Sequence, residues 1–321
     1  MPARGEIVID VTAALTCGTD LKAFLRGHRL FRPPMPFGHE MAGRVAVVGE
    51  GVTKFRVGDR VTAANSAPCA ACFFCKRGQT NLCEQLDRHL NWGAFAERAI
   101  VPAPIVERNT HAIPDALDDA SAAAIEPLGC VVAGIDGAAI EPGDTVVVLG
   151  ATGAIGLMFV QVLRSSGAAV IVAVGRSRDR LAMAKTLGAD VTASSIDEAE
   201  ESVRRVTNGR GADAVIEATG QVDVWEQAPR LARRGGTIVM FGGCPGGTRA
   251  ALDTGRIHYD ALTIRGVFHH TPSAIERSLA LMQSGRVRIG PILGAEGRLD
   301  DVPGLLNRMA RREIVKAVVR P

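Results

Sequence analysis

The sequence predicts an α/β protein in which a doubly wound parallel sheet follows an irregular, mainly β domain. Up to about residue 125, short strand-like stretches are separated by Gly, Pro and Asp. From about residue 140, strands of Val and Ile without polar alternation take turns with helical stretches, as in parallel sheets covered by helices on both faces. The length of 321 residues suits two such domains.

The elements follow from the pattern in chain order. The first domain contains four predicted strands: EIVIDV, AGRVAVVG, DRVTAA and AERAIV. The second contains, in order, TVVVLG, AIGLMFVQVLRSSG, AVIVAVG, RDRLAMAKTLGAD, ADAVIEATG, VWEQAPRLARRGG and TIVMFGG. After about residue 261 the pattern predicts one more strand (LTIRGVF), a helix (SAIERSLALMQSG) and a short strand (IVKAVV).

Composition excludes several classes of protein. Hydrophobic residues make up 47% of the chain, which is ample for a core and excludes disorder. The 37 basic and 34 acidic residues give a net charge of +3 and no basic stripe, so no nucleic-acid partner is expected. Glu6 and Asp10 interrupt any secretion signal, and glycines break the uncharged run at 145–163. We expect a cytoplasmic protein with no membrane partner.

Four of the seven cysteines form a regular cluster. Cys69, Cys72, Cys75 and Cys83 give the spacing C-x2-C-x2-C-x7-C in a segment with little core of its own. Four thiolates at this spacing can close a tetrahedral zinc site that stabilises such a lobe. An iron-sulfur cluster is the competing interpretation, although the usual trailing Cys-Pro is missing.

A second set of metal-ligating residue types is dispersed along the chain. Cys17 lies in T-C-G-T-D, His39 and Glu40 in F-G-H-E, and Glu126 opens E-P-L. A thiolate, an imidazole and carboxylates from separate turns suit an open catalytic zinc site. The spacing alone is equally compatible with a non-metal interpretation, in which the cysteine is buried, the histidine lies on the surface and the glutamate caps a helix.

A glycine-rich turn, G-A-T-G-A-I-G, follows the strand TVVVL and opens a helix. In this context the backbone can approach a pyrophosphate at the helix N-terminus. About twenty residues further on, the sequence has Gly175 and Arg176 where a free ribose 2′-hydroxyl would call for Asp or Glu. This arrangement favours NADP(H) over NAD(H), the alternative being a solvated arginine at a loop tip. The expected pyrophosphate contacts are Gly150, Gly153, Ala154, Ile155 and Gly156.

Taken in order, these motifs resemble the zinc-dependent medium-chain alcohol dehydrogenases, particularly the sorbitol and threonine dehydrogenase branch. The resemblance covers essentially the whole chain and implies a GroES-like catalytic domain beside a Rossmann domain. It places the catalytic domain at 1–128 and 265–321, with a structural zinc lobe at 68–84, and the nucleotide domain at 129–264. The matching motifs are C-G-T-D at 17–20, G-H-E at 38–40, V-G-D-R-V at 57–61, G-A-F-A-E at 93–97, E-P-L at 126–128 and LGAD at 187–190.

The resemblance also implies roles for single residues, and two zinc ions per chain. Cys17, His39 and Glu40 match catalytic zinc ligands, and Glu126 matches a second glutamate that ligates the zinc or lies behind a bound water. Thr19 is implied to take the substrate proton, and Asp20 to support the ligands. Further cofactor contacts are expected at Arg180, Thr219 and Phe268, and substrate contacts at Trp92, His269 and His270, although both histidines also suit a half-exposed loop.

The sequence departs from the family in three places. Lys22 stands where many members have a relay histidine, so the proton route from Thr19 is expected to end at Lys22 or in solvent. The glycine turn is one residue longer than usual and is similar to that of quinone reductases. Family members normally carry a further strand-rich segment before GEIVIDV, so we expect either a shortened variant or a missing N-terminal segment.

The predicted function is zinc-dependent hydride transfer between a secondary alcohol, polyol or sugar-like substrate and a nicotinamide cofactor. A homodimer or homotetramer is expected from the resemblance. One alternative is a quinone-reductase-like NADPH oxidoreductase without catalytic zinc. Others are a nucleic-acid-binding protein that uses the cysteine lobe, and a cofactor binder that lacks activity because its N-terminal segment is missing.

Overall fold

A computed structural model describes residues 1–27 and 33–321 of the chain. The chain divides into two compact units, residues 1–130 with 270–321 and residues 131–269. Each unit has a sheet of its own, mainly antiparallel in the first and parallel in the second. The predicted α/β fold class is thereby confirmed.

The first unit begins with a strand that forms the centre of its sheet. Buried and half-buried residues alternate along β1, because one face of the strand packs on the core. The helices of this segment are short, apart from α5, whose residues 131–138 belong to the second unit. The elements are β1 (Ile7–Leu15), α1 (Gly18–Arg26), β2 (Glu40–Val48), β3 (Arg60–Ala63), α2 (Phe73–Lys76), 3-10 turns at Thr80–Leu82 and Leu86–His89, β4 (Arg98–Val101), α3 (Ala103–Arg108), β5 (Thr110–Ala112), α4 (Asp119–Ala122) and α5 (Ile125–Ala138).

The second unit alternates strands and helices. Its first strand is buried along its whole length, as expected of a parallel strand with helices on both faces. The elements are β6 (Thr145–Leu149), α6 (Ala154–Ser165), β7 (Val170–Val174), α7 (Arg178–Thr186), β8 (Val191–Ala193), α8 (Ile196–Val206), β9 (Ala212–Glu217), α9 (Val222–Gln227), a 3-10 turn at Ala228–Leu231, β10 (Ala232–Met240), α10 (Thr254–Tyr259) and β11 (Thr263–Gly266).

The last residues return to the sheet of the first unit. They form α11 (Pro272–Gln283), a 3-10 turn at Gly290–Ile292, β12 (Leu293–Arg298), a 3-10 turn at Leu299–Asp301, α12 (Val302–Ala310) and β13 (Lys316–Arg320). Within the described residues, the strand order in the first unit is β12-β13-β1-β2-β3-β5, with β4 also paired to β1, and in the second unit it is β11-β10-β9-β6-β7-β8. The last strand of the chain therefore lies beside the first.

The structure contains elements that the sequence pattern did not predict. They are the strands β5, β8 and β12 and the helices α1, α2, α3, α4, α8, α10 and α12. The predicted helical stretch VWEQAPRLARRGG is also divided, because it ends at the 3-10 turn and its ARRGG portion begins β10. Among the described residues, no helix is long and apolar enough to cross a membrane. The uncharged run at 145–163 is instead β6 followed by α6.

Candidate active site

Three strand ends meet beside the C-terminal end of β1. Leu15 pairs with Glu40 at the start of β2 and with Val318 in the middle of β13. Cys17 lies two residues after the end of β1 and caps α1, while His39 immediately precedes β2. As a result, one ligand atom from each of Cys17, His39 and Glu40 lies within 4.8 Å of the others. Strand pairing thus brings Cys17 together with His39 and Glu40, which follow it by more than twenty residues.

Asp20 orients two of these three residues. Its side chain is fully buried, and its Oδ2 accepts a hydrogen bond of 2.9 Å from the backbone amide of Cys17. Its Oδ1 lies 3.1 Å from Nδ1 of His39. Since a carboxylate only accepts, this contact holds a proton on Nδ1 and leaves Nε2 of the neutral ring as the ligating atom.

The charge around His39 favours a cationic imidazole when no metal is bound. Burial opposes this charge, but Asp20 and, after it, Cys17 outweigh burial and raise the pKa of His39 well above its ordinary value of 6.5. The ring of Trp92 packs edge-on against His39, with 5.2 Å between ring centroids. His39 therefore contacts both the acidic side chain of Asp20 and the aromatic ring of Trp92.

Glu40 is fully buried, and its two carboxylate oxygens have different surroundings. Oε2 accepts a short hydrogen bond from Nζ of Lys316, a residue only 2% exposed, whose Nζ also donates to the carbonyl oxygen of Thr16 at 2.8 Å. Oε1 is buried and has no hydrogen-bond partner among the described residues. An unsatisfied buried carboxylate oxygen is costly unless something binds it.

These donors fit a zinc ion. A thiol, an imidazole nitrogen and a carboxylate oxygen converge, and the unsatisfied Oε1 of Glu40 is an oxygen that a cation would bind. Three protein ligands leave one position of a tetrahedral zinc open, which is the arrangement of catalytic rather than structural zinc sites.

Glu126 lies in a neighbouring group and not in this set of mutually close ligand atoms. It is buried in the first turn of α5, and its Oε1 lies 3.8 Å from Sγ of Cys130 and 4.0 Å from Nε2 of His270. Nε2 of His270 in turn lies 3.2 Å from Oδ1 of Asn65. Burial raises the pKa of Glu126 to about 7, with His39 opposing the shift and Glu40 adding to it.

The two residues predicted to move the proton lie on α1. Thr19 is half-buried in its first turn, and its backbone amide donates to Sγ of Cys17 at 3.5 Å. Lys22 is exposed, three residues further along the same helix. Thr19 therefore lies beside the clustered ligands, and Lys22 lies in solvent.

The four-cysteine lobe brings its sulfur atoms together without disulfides. Cys69, Cys72, Cys75 and Cys83 are free thiols whose Sγ atoms lie within 4.8 Å of one another. Backbone amides donate to several of these sulfurs, for example Cys72 N to Cys69 Sγ at 3.3 Å and Cys69 N to Cys83 Sγ at 3.2 Å. Such amides lower the pKa of Cys72 to about 6, whereas burial and the neighbouring Cys72 raise that of Cys75 to about 12. The sulfur donors and their amide partners fit a closed metal site.

In the second unit, the glycine turn joins β6 to α6. Gly150 has φ +86°, a conformation that favours glycine, and Gly153 caps the helix. A Cβ at Gly156 would lie 2.3 Å from the carbonyl oxygen of Gly150, so only glycine fits there. Ala154, Ile155 and Gly156 form the first turn of α6, whose amides have no intrahelical acceptors. The turn has the geometry of a pyrophosphate site.

The other predicted cofactor residues lie near the carboxyl ends of the strands. Arg176 is exposed two residues after the end of β7, and Arg180 is half-buried on α7. Thr219 packs against the turn, since a Cβ at Gly150 would lie 2.9 Å from its Cγ2. After β11, Phe268 is 52% exposed and His269 has φ +63°.

Sequence reasoning missed several residues of these sites. Lys316 carries a signal that could have revealed it, because a lone lysine inside the apolar stretch IVKAVV needs a buried acidic partner. Glu217, which accepts hydrogen bonds from Thr219 and Gly220, ends an equally apolar strand. Asn65 and Thr152 have no comparable signal, because their contacts depend on the tertiary fold.

A parallel sheet with a nucleotide-binding turn in one unit, and clustered zinc-ligating side chains in the other, define a nicotinamide-dependent dehydrogenase. Comparisons with known proteins specify the family. Residues 3–115 match the alcohol dehydrogenase GroES-like domain, and residues 154–284 match the zinc-binding dehydrogenase domain. The chain belongs to the zinc-type medium-chain alcohol dehydrogenase family.

Individual relatives match along nearly the whole chain. A sorbitol dehydrogenase of Halalkalibacterium halodurans is 31% identical over 100% of this chain and 93% of its own length. An L-threonine 3-dehydrogenase of Pyrococcus furiosus is 33% identical over 91% of this chain and 84% of its own. The structure of a zinc-binding dehydrogenase from Sinorhizobium meliloti 1021 bound to NADP superposes with a TM-score of 0.89, at 31% identity, and covers 100% of this chain and 93% of the other. These similarities do not favour the quinone-reductase-like and nucleic-acid-binding alternatives.

Proposed function

We propose that this enzyme interconverts a secondary alcohol or polyol and the corresponding carbonyl compound, with two zinc ions per chain and NADP(H) as the cofactor. The observation that carries this proposal is the carboxylate of Glu40: it lies within 4.8 Å of ligand atoms of Cys17 and His39, and its buried Oε1 lacks a partner among the described residues. Relatives named sorbitol dehydrogenase, D-arabinitol dehydrogenase 1 and L-threonine 3-dehydrogenase support the substrate class.

Cys17, His39 and Glu40 would hold the catalytic zinc, and the four clustered cysteines would hold the structural one. When bound, the catalytic zinc supplies a Lewis acid for the substrate oxygen. Asp20 keeps the ring of His39 and the backbone of Cys17 in the ligating orientation. Glu126 would either ligate the zinc or lie behind a bound water; its place beside His270 and Cys130, outside the set of close ligand atoms, favours the second role.

Proton movement is assigned to α1. The hydroxyl of Thr19 would accept the proton of the substrate hydroxyl, because Thr19 lies two residues from Cys17 at the half-buried start of the helix. Lys22 is exposed on the same helix and would pass the proton to solvent. The expected substrate contacts are Trp92 and the loop that carries His269 and His270, of which His270 is fixed by Asn65.

NADP(H) is favoured by the end of β7. The strand is followed by Gly175 and Arg176, where an acidic residue would bind a ribose 2′-hydroxyl. An exposed guanidinium next to Gly175 can bind a 2′-phosphate through two hydrogen bonds. Arg180, Thr219 and Phe268 complete the proposed cofactor contacts.

We also propose that the enzyme is a cytoplasmic homodimer or homotetramer. In the described chain, β11 is an edge strand of the parallel sheet, and three of its four residues are exposed. An open strand edge can pair with a second copy. The seven cysteines form no disulfide bonds, as expected in a reducing compartment. Light scattering coupled to size-exclusion chromatography measures the assembly directly.

Zinc content and turnover in one variant test the catalytic assignment. Cys17→Ala should bind one zinc per chain rather than two and lose oxidation of polyols and secondary alcohols. Cys72→Ser should instead lose the other zinc, and Cys244→Ala, outside both clusters, should keep both. Unchanged zinc content and turnover in Cys17→Ala would refute the assignment. Titration of the wild type with NADPH and NADH measures the cofactor preference.

A further inference from the structure

We infer that Thr152 helps to determine the cofactor by occupying the space that a side chain at position 175 would need. This inference rests on the proposed NADP(H) specificity and identifies a residue, outside the usual glycine positions, that enforces it. Thr152 lies inside the glycine turn, and Gly175 directly follows β7. The two residues belong to the same unit and face each other across the turn.

The contact is too close for any side chain at 175. A Cβ built on Gly175 would lie 2.3 Å from Cγ2 of Thr152, 2.7 Å from its Oγ1 and 3.0 Å from its Cβ. Carbon atoms in contact are normally about 3.5–4.0 Å apart. An aspartate at 175, the residue that would bind a ribose 2′-hydroxyl, would therefore collide with Thr152 at its first side-chain atom.

The backbone itself does not require glycine at this position. Gly175 is absent from the residues with positive φ, so it does not lie in the left-handed region that favours glycine. Its amide donates to the carbonyl oxygen of Ala193 at 3.0 Å, as an ordinary strand residue would. The neighbouring side chain, rather than local strain, is what excludes a carboxylate here.

Thr152 cannot relieve the collision by rotation. Threonine carries two heavy atoms on Cβ, and these occupy two of three staggered positions. In the structure, Cγ2 and Oγ1 of Thr152 occupy the two staggered positions that lie within 3 Å of the added Cβ. Any other staggered rotamer moves only one of these two positions out of use, so a heavy atom of Thr152 still fills the other. Serine has a single Oγ, which can turn to the third position, so only a smaller side chain can make room.

The turn is also held in place against β7. The backbone amides of Gly150 and Ala151 donate to the carbonyl oxygen of Val174 at 3.0 and 2.9 Å. Moving Thr152 away from Gly175 would stretch these two hydrogen bonds, which anchor the turn that faces the pyrophosphate. The side-chain collision is thus coupled to cofactor binding as a whole.

A set of variants tests the inference by binding rather than by turnover. Gly175→Asp is made alone and together with Thr152→Ser or Thr152→Val. Valine keeps both staggered positions filled and is the matched control for serine. Dissociation constants for NADH and NADPH are measured by the fluorescence of the reduced nicotinamide, and thermal unfolding of each apoprotein reports the collision without cofactor.

We expect Gly175→Asp to lower the unfolding temperature and to weaken binding of both cofactors by about tenfold or more, given the usual cost of overpacking. Thr152→Ser removes the two closest contacts and keeps the one at 3.0 Å, so it should restore part of the unfolding temperature lost in Gly175→Asp and give tighter NADH binding, whereas Thr152→Val should restore neither. Equal behaviour of the serine and valine backgrounds would overturn the inference, as would tight NADH binding by Gly175→Asp alone. If the wild type prefers NADH, the proposed cofactor is refuted instead. The recovery of unfolding temperature by Thr152→Ser in Gly175→Asp would still test the steric conflict between positions 152 and 175.

Discussion

Lys316 and Glu40 form an ion pair in the interior of the first unit, where their side chains are 2% and 0% exposed. Burial alone would favour the neutral form of each group, so it raises the pKa of Glu40 and opposes the charge of Lys316. Mutual attraction offsets this cost: Glu40 helps to raise the pKa of Lys316. The lysine therefore holds Oε2 of Glu40, while Oε1 stays buried without a hydrogen-bond partner among the described residues.

Replacing Lys316 should lower the stability of the protein far more than replacing a surface cation. Lys316→Met leaves Glu40 buried without a counter-charge, and we expect a loss of about 3–5 kcal/mol in the free energy of unfolding. Urea denaturation measures this loss. The control is Arg320→Ala in the same strand, whose pair with Glu296 is about half exposed and should contribute less than about 1 kcal/mol. Similar losses in the two variants would contradict a buried, mutually dependent pair.

Asp20→Asn should weaken zinc binding at the first cluster. The amide cannot reproduce a carboxylate that holds the Nδ1 proton of His39 and caps Cys17, and such supporting residues typically contribute 10–100-fold, roughly, to metal affinity. Competition with a chromogenic chelator measures the change. Asp118→Asn also alters a helix cap, at α4, but should leave zinc affinity unchanged. A wild-type affinity in Asp20→Asn would show that the contact is not needed to orient the ligand.

The sequence predicts some of this site well and some of it poorly, for physical reasons. The cysteine lobe and the glycine turn are local, so spacing along the chain is enough to predict them. Cys17, His39 and Glu40 carry little signal by spacing alone, because the pairing of Leu15 with Glu40 brings them together. The Lys316 partner lies 276 residues from Glu40, beyond the reach of any local pattern.

The elements of the fold likewise divide into those that the sequence predicts and those that it does not. Fully apolar strands such as β6 can be predicted from their sequence, and the alternation of strands and helices implies a parallel sheet. The strand β12 cannot be predicted in this way, because its sequence LGAEGR contains two glycines and no buried residue. It is held by parallel pairing with β13. The helix α8 has a strongly amphipathic sequence after a serine N-cap, so closer attention to capping could have predicted it.

Acid should destabilise the protein through His111. Burial, and secondarily the charge of Lys54, lower the pKa of His111 from 6.5 to about 4, and its Nε2 is buried without a partner among the described residues. Because the unfolded state takes up the proton first, this contribution to stability is present above about pH 6.5 and is lost as the pH falls toward 4. With allowance for partial exposure, the loss amounts to roughly 2 kcal/mol.

A comparison with His111→Gln isolates this effect. Glutamine does not titrate, so urea denaturation between pH 7 and pH 4 should show a shallower decline for the variant than for the wild type. Lys54→Met should reduce the difference, since it removes the charge that disfavours the protonated imidazole. Parallel pH profiles for wild type and His111→Gln would exclude the histidine as the source.

Gly156→Ala should weaken cofactor binding through the backbone of the glycine turn. The added Cβ would lie 2.3 Å from the carbonyl oxygen of Gly150 and 2.5 Å from Cα of Ala151, both main-chain atoms that cannot rotate away. The turn must therefore move relative to α6, and we expect the dissociation constant for NADPH to rise by about tenfold or more. The matched control is Gly304→Ala in α12, where no atom lies within 4 Å of the added Cβ. Alanine there should leave cofactor affinity unchanged and stabilise the helix by up to about 1 kcal/mol. An unchanged NADPH affinity in Gly156→Ala would mean that the turn tolerates displacement, and close packing of backbone at position 156 would then have no part in binding.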